Sequence, residues 1–445
     1  MMTHKRLIYQ TALLLMLWAV AGCSLSSEPP PPIVGLRPTS TPNIDPTATP
    51  SASGQVYLLN LMNQVQTDRM IVHISTLSNF RTRHVNSTQT LPDFGIGAAA
   101  DYLLEQMQAI ARSSHGNFSV SEHNFTATYN NVTTPQRNIV GVLGGTDAEA
   151  GVIVIGAHYD SRSWDLRDFA AYAPGADDNA SGVAAVLEIA RIMSQSPRNA
   201  TILFVLFSAE EVGRQGSIAF VQDYLTAFDL DEDILMLNLD TIGSWNDSAG
   251  NINAQDIRLF SAPPNTSPAR HIARTLNLMG YHQRLDLNII LADALDRPDR
   301  YGDHFSFDEA GYPALRFIEA LEDHDNREGA DTVEHIEPAY LTAATRTILG
   351  VLVGLSDGIA PPKNISFRNL GDGTASAAWE PPAGAVGYVV ALRKSDSLIF
   401  DRHFIIETNR TAAWDGWWDF DLFAIATIDS RGVVGRFSVE VSLNR

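Results

Sequence analysis

Histidine and carboxylate residues fall in this sequence at one repeated kind of position, next to apolar runs. His158-Tyr159-Asp160-Ser161 comes just after VIVIG, Ser208-Ala209-Glu210-Glu211 follows TILFVLF, and Asp240-Thr241 follows ILMLNL. Asp177-Asp178-Asn179 precedes an Ala/Val-rich run starting at Gly182, and Glu319, Glu322, Asp323, His324 and Asp325 follow PALRFI. Taken singly, each has an ordinary structural role as a loop histidine, a helix cap or a solvated turn. Converging on one place they would be a costly accumulation of like charge, which a bound cation resolves. The only cysteine is Cys23, so no thiolate zinc site is available and a metal must be held by His, Asp and Glu. That donor set suits zinc or another borderline divalent ion.

The elements that would position these groups alternate. Continuous apolar runs at 138–143, 152–156, 201–207, 234–239 and 313–318 read as strands. Helical spacing runs over 56–76, 96–112, 182–193, 215–228, 267–279 and 338–355, with Ser267 as N-cap and Pro268 at the first helical position. The predicted fold is therefore α/β, with a mostly parallel central sheet flanked by helices on both faces. Ligands of such sheets bind beyond the carboxyl ends of the strands, which is where the polar groups fall.

The segments GAHYDS (156–161), APGADDNASG (173–182), FSAEEVGRQGS (207–217), NLDTIG (238–243) and DHFSFDEAGYPALRF (303–317) together resemble the co-catalytic zinc peptidases that include bacterial secreted leucine aminopeptidases, glutamate carboxypeptidase and glutaminyl cyclases. The resemblance covers about residues 54–358 and implies a zinc exopeptidase-like fold and two zinc ions, with cobalt or manganese as substitutes. It implies His158 and Asp240 as ligands of one zinc, Asp177 as the bridging carboxylate, and Glu211 as a ligand of the second. Asp160 would orient the His158 imidazole, and Glu210 would be the general base. A cis peptide is implied at Asp177–Asp178. The final histidine departs from the family's compact His-Thr-x-x-Asp-Thr run. His324 is the expected ligand, seven positions before Asp331, with His304 as its competitor and His335 expected at the surface. The implied activity is removal of N-terminal residues from peptides. A carboxypeptidase-type or glutaminyl cyclase-like activity is the alternative, and an inert surface-binding lipoprotein is the alternative of another class.

The flanking segments differ in kind. Residues 1–23 carry Lys5 and Arg6, an apolar run too short to span a bilayer, and Val20-Ala21-Gly22-Cys23, which resembles a lipobox. This implies export and a lipid anchor at Cys23, on a bacterial cell surface or the periplasmic face of a membrane. Residues 24–53, rich in Pro, Ser and Thr, read as an extended tether. Residues 359–363 read as a linker, and 359–445 as a small all-β sandwich. In it, Trp379-Glu380-Pro381-Pro382 and Gly387-Tyr388-Val389-Val390 resemble a fibronectin type III module. Trp414, Trp417 and Trp418 are expected either in its core or on a carbohydrate or protein contact surface. A net charge of −20 excludes nucleic acid as a partner.

Overall fold

The computed structural model describes residues 43–44, 52–226, 233–293, 301–322 and 328–443. The signal segment with Cys23, nearly all of the tether and the loop carrying His324 lie outside these residues. Asn43–Ile44 (β1) runs parallel to Arg402–Ile406 (β13).

The main sheet contains Phe118–Tyr129 (β2), Val132–Leu143 (β3), Val152–His158 (β4), Thr201–Phe207 (β5), Ile234–Leu239 (β6), Asp256–Ser261 (β7), Asn288–Ala292 (β8) and Ala314–Glu319 (β9), in the order β2-β3-β5-β4-β6-β9-β7-β8. The four central strands β5, β4, β6 and β9 are parallel. Their carboxyl ends therefore share one edge. β4 is buried at every residue, as a strand covered on both faces must be.

Among the described residues, eight α-helices flank the sheet: α1 (Ala52–Met62), α2 (Thr67–Asn79), α3 (Gly95–Ser113), α4 (Gly182–Met193), α5 (Gln215–Ala219), α6 (Pro268–Gln283), α7 (His304–Glu309) and α8 (Pro338–Asp357). One apolar cluster joins α2, α3, α4 and α8 to Ile153, Ile155, Leu206 and Leu237, while Val154, Val205 and Met236 meet Phe220 and Phe307 on the other face. α4 lies close against the sheet because it begins with glycine: a Cβ on Gly182 would stand 2.6 Å from the Leu239 carbonyl oxygen. The single helix expected over 56–76 is two helices. The long hairpin strand β2 and the strands β7 and β8 carried too little apolar continuity to be read beforehand.

The C-terminal unit is all-β. Lys363–Asn369 (β10) and Ala375–Glu380 (β11) form a hairpin beside a sheet of Ala385–Arg393 (β12), β13, Leu422–Asp429 (β14), Val434–Phe437 (β15) and Val441–Ser442 (β16). Alternation along β12 and β14 gives this sheet two apolar faces. Tyr388, Val390, Leu392, Phe423 and Ile425 face the hairpin. Val389, Ala391, Ala424 and Ala426 join the core of the main domain, with Phe400, Val434 and Phe437. The predicted linker at 359–363 is thus packed: Cβ on Gly435 would stand 2.2 Å from the Ile359 carbonyl oxygen. Trp417 is buried against Phe367; Trp414 packs on Trp417 and Phe404, and Trp418 on Phe367, both half-buried at the edge of this core.

Candidate metal centre at the carboxyl edge of the sheet

Each strand end delivers one part of the site. His158 is the last residue of β4; the turn Ser208–Glu211 follows β5, and Asp240 follows β6. His158 Nε2 lies 3.2 Å from Asp178 Oδ1 and 3.6 Å from Asp240 Oδ1. Two sets of donor atoms lie within 4.8 Å of one another, His158-Asp178-Asp240 and His158-Glu210-Glu211. An imidazole among buried carboxylates, with no thiol, fits zinc by its donor chemistry.

The bridging position calls for a correction of one residue. Asp178, not Asp177, faces His158. Asp177 instead accepts a 2.8 Å hydrogen bond from Gly243 N–H. The backbone between Gly175 and Gly182 is not a regular helix, since Asp178 (φ −107°, ψ 90°) and Asn179 (φ −137°, ψ 44°) are non-helical, and so the two adjacent carboxylates diverge. The cis peptide likewise falls at Asp178–Asn179 rather than Asp177–Asp178.

Asp160 holds two neighbours together. Its carboxylate accepts the backbone N–H of Glu210 (3.0 Å) and of Glu211 (3.1 Å), and its Oδ1 lies 3.5 Å from His158 Nδ1. It therefore fixes the ring and the Glu210–Glu211 turn at once. Asp240 is backed by the buried Arg316, whose Nε lies 3.0 Å from Oδ2. The Asn179 side chain links the two loops, donating to Leu239 C=O (2.9 Å) and accepting from Thr241 N–H (3.1 Å).

The electrostatics follow from the crowding. Burial pushes the Glu210 carboxyl well above the usual range, the neighbouring His158 imidazole opposes this, and Glu211, Asp303 and Asp240 add to it. Burial, then Asp178, lifts Glu211 to about 7 against the pull of Arg162, whose Nε is 3.1 Å away. Burial alone would lower His158, but Glu210, Asp160, Asp178 and Asp240 raise it well above the ordinary imidazole value. Without a cation these groups hold protons between them.

Three contributors were not singled out from the sequence. Asp303 is fully buried and pushed up to about 7, by burial first and then by Asp160 and Asp240 against His158. It sits within the motif DHFSFDEAGYPALRF, where the neighbouring histidine drew attention instead. Arg83 and Asp331 hold the Asp178 loop, and only contacts distant in sequence reveal them. His304 is buried beside Asp240: a Cβ on Gly302 would meet His304 Nδ1 at 3.2 Å and Asp240 Oδ2 at 3.3 Å. His335 is exposed.

Residues 138–352 match peptidase family M28. A probable zinc metalloprotease of Pyrenophora tritici-repentis is 30% identical over 379 residues, spanning 76% of this chain and 86% of that protein. One of Phaeosphaeria nodorum is 31% identical over 386 residues, spanning 76% and 77%. Among solved structures, the LapA aminopeptidase of Legionella pneumophila superposes with a TM-score of 0.55 at 18% identity, covering 70% of this chain and 77% of that one. An aminopeptidase from Aneurinibacillus sp. strain AM-1 does so with a TM-score of 0.52 at 15% identity, covering 69% and 96%. These two likenesses speak for the zinc exopeptidase-like fold. With a histidine-carboxylate donor set at the strand ends of that fold, and relatives of this similarity over most of their length, the chain belongs to peptidase family M28, the zinc metallopeptidases.

Proposed function

We propose that this hydrolase is a two-zinc aminopeptidase. The observation that carries the reading is that two carboxylate pairs, Asp178 with Asp240 and Glu210 with Glu211, each bring donor atoms within 4.8 Å of one another and of His158. Asp178, 3.2 Å from the His158 ring and near enough to Glu211 to raise its carboxyl pKa, would be the bridging carboxylate. His158 and Asp240 would hold one ion, and Glu211 with His324 the other. Zinc so held lowers the pKa of a water toward neutrality and polarises a carbonyl. Glu210, on a turn fixed by Asp160, takes the proton of the attacking water at its carboxylate and returns it to the leaving amine. The surplus of carboxylates around the site favours a substrate with a free, positively charged amino terminus, in keeping with the aminopeptidase names of the two structural neighbours.

The test is hydrolysis of aminoacyl-p-nitroanilides by the purified chain, with and without chelator, beside Glu210→Gln. Chelator-sensitive release from free but not N-blocked substrates is expected, lowered about 10²- to 10⁴-fold in Glu210→Gln with zinc still bound. Near-normal rates in Glu210→Gln would remove the base assignment. No release from these substrates, with hydrolysis of N-blocked peptides that carry a free carboxyl terminus, would select the carboxypeptidase-type alternative.

We further propose export and a lipid anchor at Cys23, resting on Val20-Ala21-Gly22-Cys23 as the sequence has it. Cys23→Ser is expected to move the protein from the membrane to the soluble fraction. The Trp379-Glu380-Pro381-Pro382 and Gly387-Tyr388 motifs support a fibronectin type III-like ancestry for the C-terminal unit.

A further inference from the structure

Arg83 lies between α2 and α3, outside the residues matched to the family. It is fully buried, which is costly for a guanidinium unless its donors are satisfied. Its nitrogens donate to backbone carbonyls: Nε to Tyr159 (2.6 Å), Nη1 to Pro174 and Leu77 (3.3 Å to the latter), and Nη2 to Gly175 (2.8 Å). One planar fork therefore grips the His158–Asp160 turn and the Asp178 loop together. The backbone repeats the link, since Arg83 N–H donates to Ser161 Oγ at 3.0 Å and Ser161 Oγ donates to the Ala173 carbonyl at 2.8 Å.

Asp331 meets the same loop from the opposite pole. Its carboxylate accepts the N–H groups of Asp177 and Asp178, both at 2.8 Å, and its carbonyl accepts that of Ala176 at 3.1 Å. The peptide dipoles of 174–178 thus lie with carbonyls toward a buried cation and amides toward a buried anion. Gly175 leaves room for this grip: its φ is +51°, and a Cβ there would stand 2.6 Å from Arg83 Nη2.

We infer that Arg83, with Asp331 opposite it, is a positioning residue for metal binding, setting the distance between the His158–Asp160 turn and the Asp178 carboxylate. This rests on the zinc reading above. Lysine keeps the charge but lacks the fork, so it cannot hold both turns at once.

The test uses the full chain and its Arg83→Lys, Asp331→Asn and Gly175→Ala variants. Zinc affinity is measured by chelator competition, the thermal midpoint on metal-free protein, and ligand geometry by the visible bands of cobalt(II). Folded Arg83→Lys is expected to bind zinc about 10- to 100-fold more weakly than the parent, as for other groups that orient metal ligands. Its cobalt bands should shift, and kcat should largely recover at saturating zinc. Should Arg83→Lys not fold, Asp331→Asn disturbs the same loop from its other side and Gly175→Ala from the Arg83 side, and both are expected to weaken zinc binding likewise. Parental affinity and parental cobalt bands in the folded variants would overturn the inference while leaving the zinc reading intact. A parent chain that binds no zinc would overturn both.

Discussion

At the carboxyl edge of the main sheet, Asp160, Asp178, Glu210, Glu211, Asp240 and Asp303 crowd one imidazole, with Arg83, Arg162 and Arg316 at the border. At the seam between α6 and the C-terminal sheet, Glu440 is gripped by Arg393 in two bonds of 2.7 and 2.6 Å and lies 3.1 Å from Arg274 Nε. The other arginine donors at the seam go to the carbonyls of Lys394, Ser395 and Asn265 and to the Asn265 side chain. Both assemblies are largely buried, but the seam gathers two arginines around one carboxylate, whereas at the sheet edge carboxylates outnumber the cations. Glu440 is held down at about 2 by His271 and Arg393, although burial alone would raise it, while Glu211 is lifted to about 7. A buried charge cluster that protein dipoles complete is structural, and one left with carboxylates in excess is built to receive a cation.

Ending the chain after Asp357 should break this comparison most severely. It bares the apolar faces of α6 and α8 that β12, β14 and β15 cover, so no soluble, cooperatively folding protein is expected by gel filtration and calorimetry. A soluble, active fragment would make the C-terminal unit an appendage instead. Next in size, Glu440→Ala strands Arg274 and Arg393 and should cost about 3–5 kcal/mol in denaturant unfolding, with turnover per folded molecule unchanged.

The pH response should separate the two regions by sign. His282 on α6 and His403 on β13 meet edge-to-face at the seam with ring centroids 4.8 Å apart, and burial lowers them to about 3 and about 4. Unfolded, both bind a proton below about 6.5. Their contribution is complete above that value and is lost as pH falls toward 3, at up to about 3 kcal/mol per pH unit for the pair. In the metal-free protein Glu211 behaves oppositely: its folded pKa is raised from 4.5 to about 7, so stability is lost as pH rises through that window. Glu211→Gln should accordingly stabilise the metal-free chain at pH 8 by about 1–2 kcal/mol while weakening zinc binding. Destabilisation there, measured by urea midpoint with chelator present, would contradict the picture of an edge strained by excess charge.

The apolar runs and the chemical types at their ends are local properties, and the sequence alone determined them. VIVIG, TILFVLF, ILMLNL and PALRFI became parallel strands, and His158, Glu210, Glu211 and Asp240 stand at the shared edge because strand direction fixes which end is which. The β character of β12 and β14 was also legible, but not that both faces would be covered, since the second covering surface comes from α6 and α8. The choice between Asp177 and Asp178 depended on two non-helical residues inside a helical stretch, and a one-residue shift there reverses which carboxylate faces the imidazole. Arg83 left no local mark either, because its partners are carbonyls at 159, 174 and 175, and backbone carbonyls are the same in every residue. Tertiary structure alone decided those positions, since side-chain type is written in the sequence whereas a backbone partner is defined only by where the chain returns.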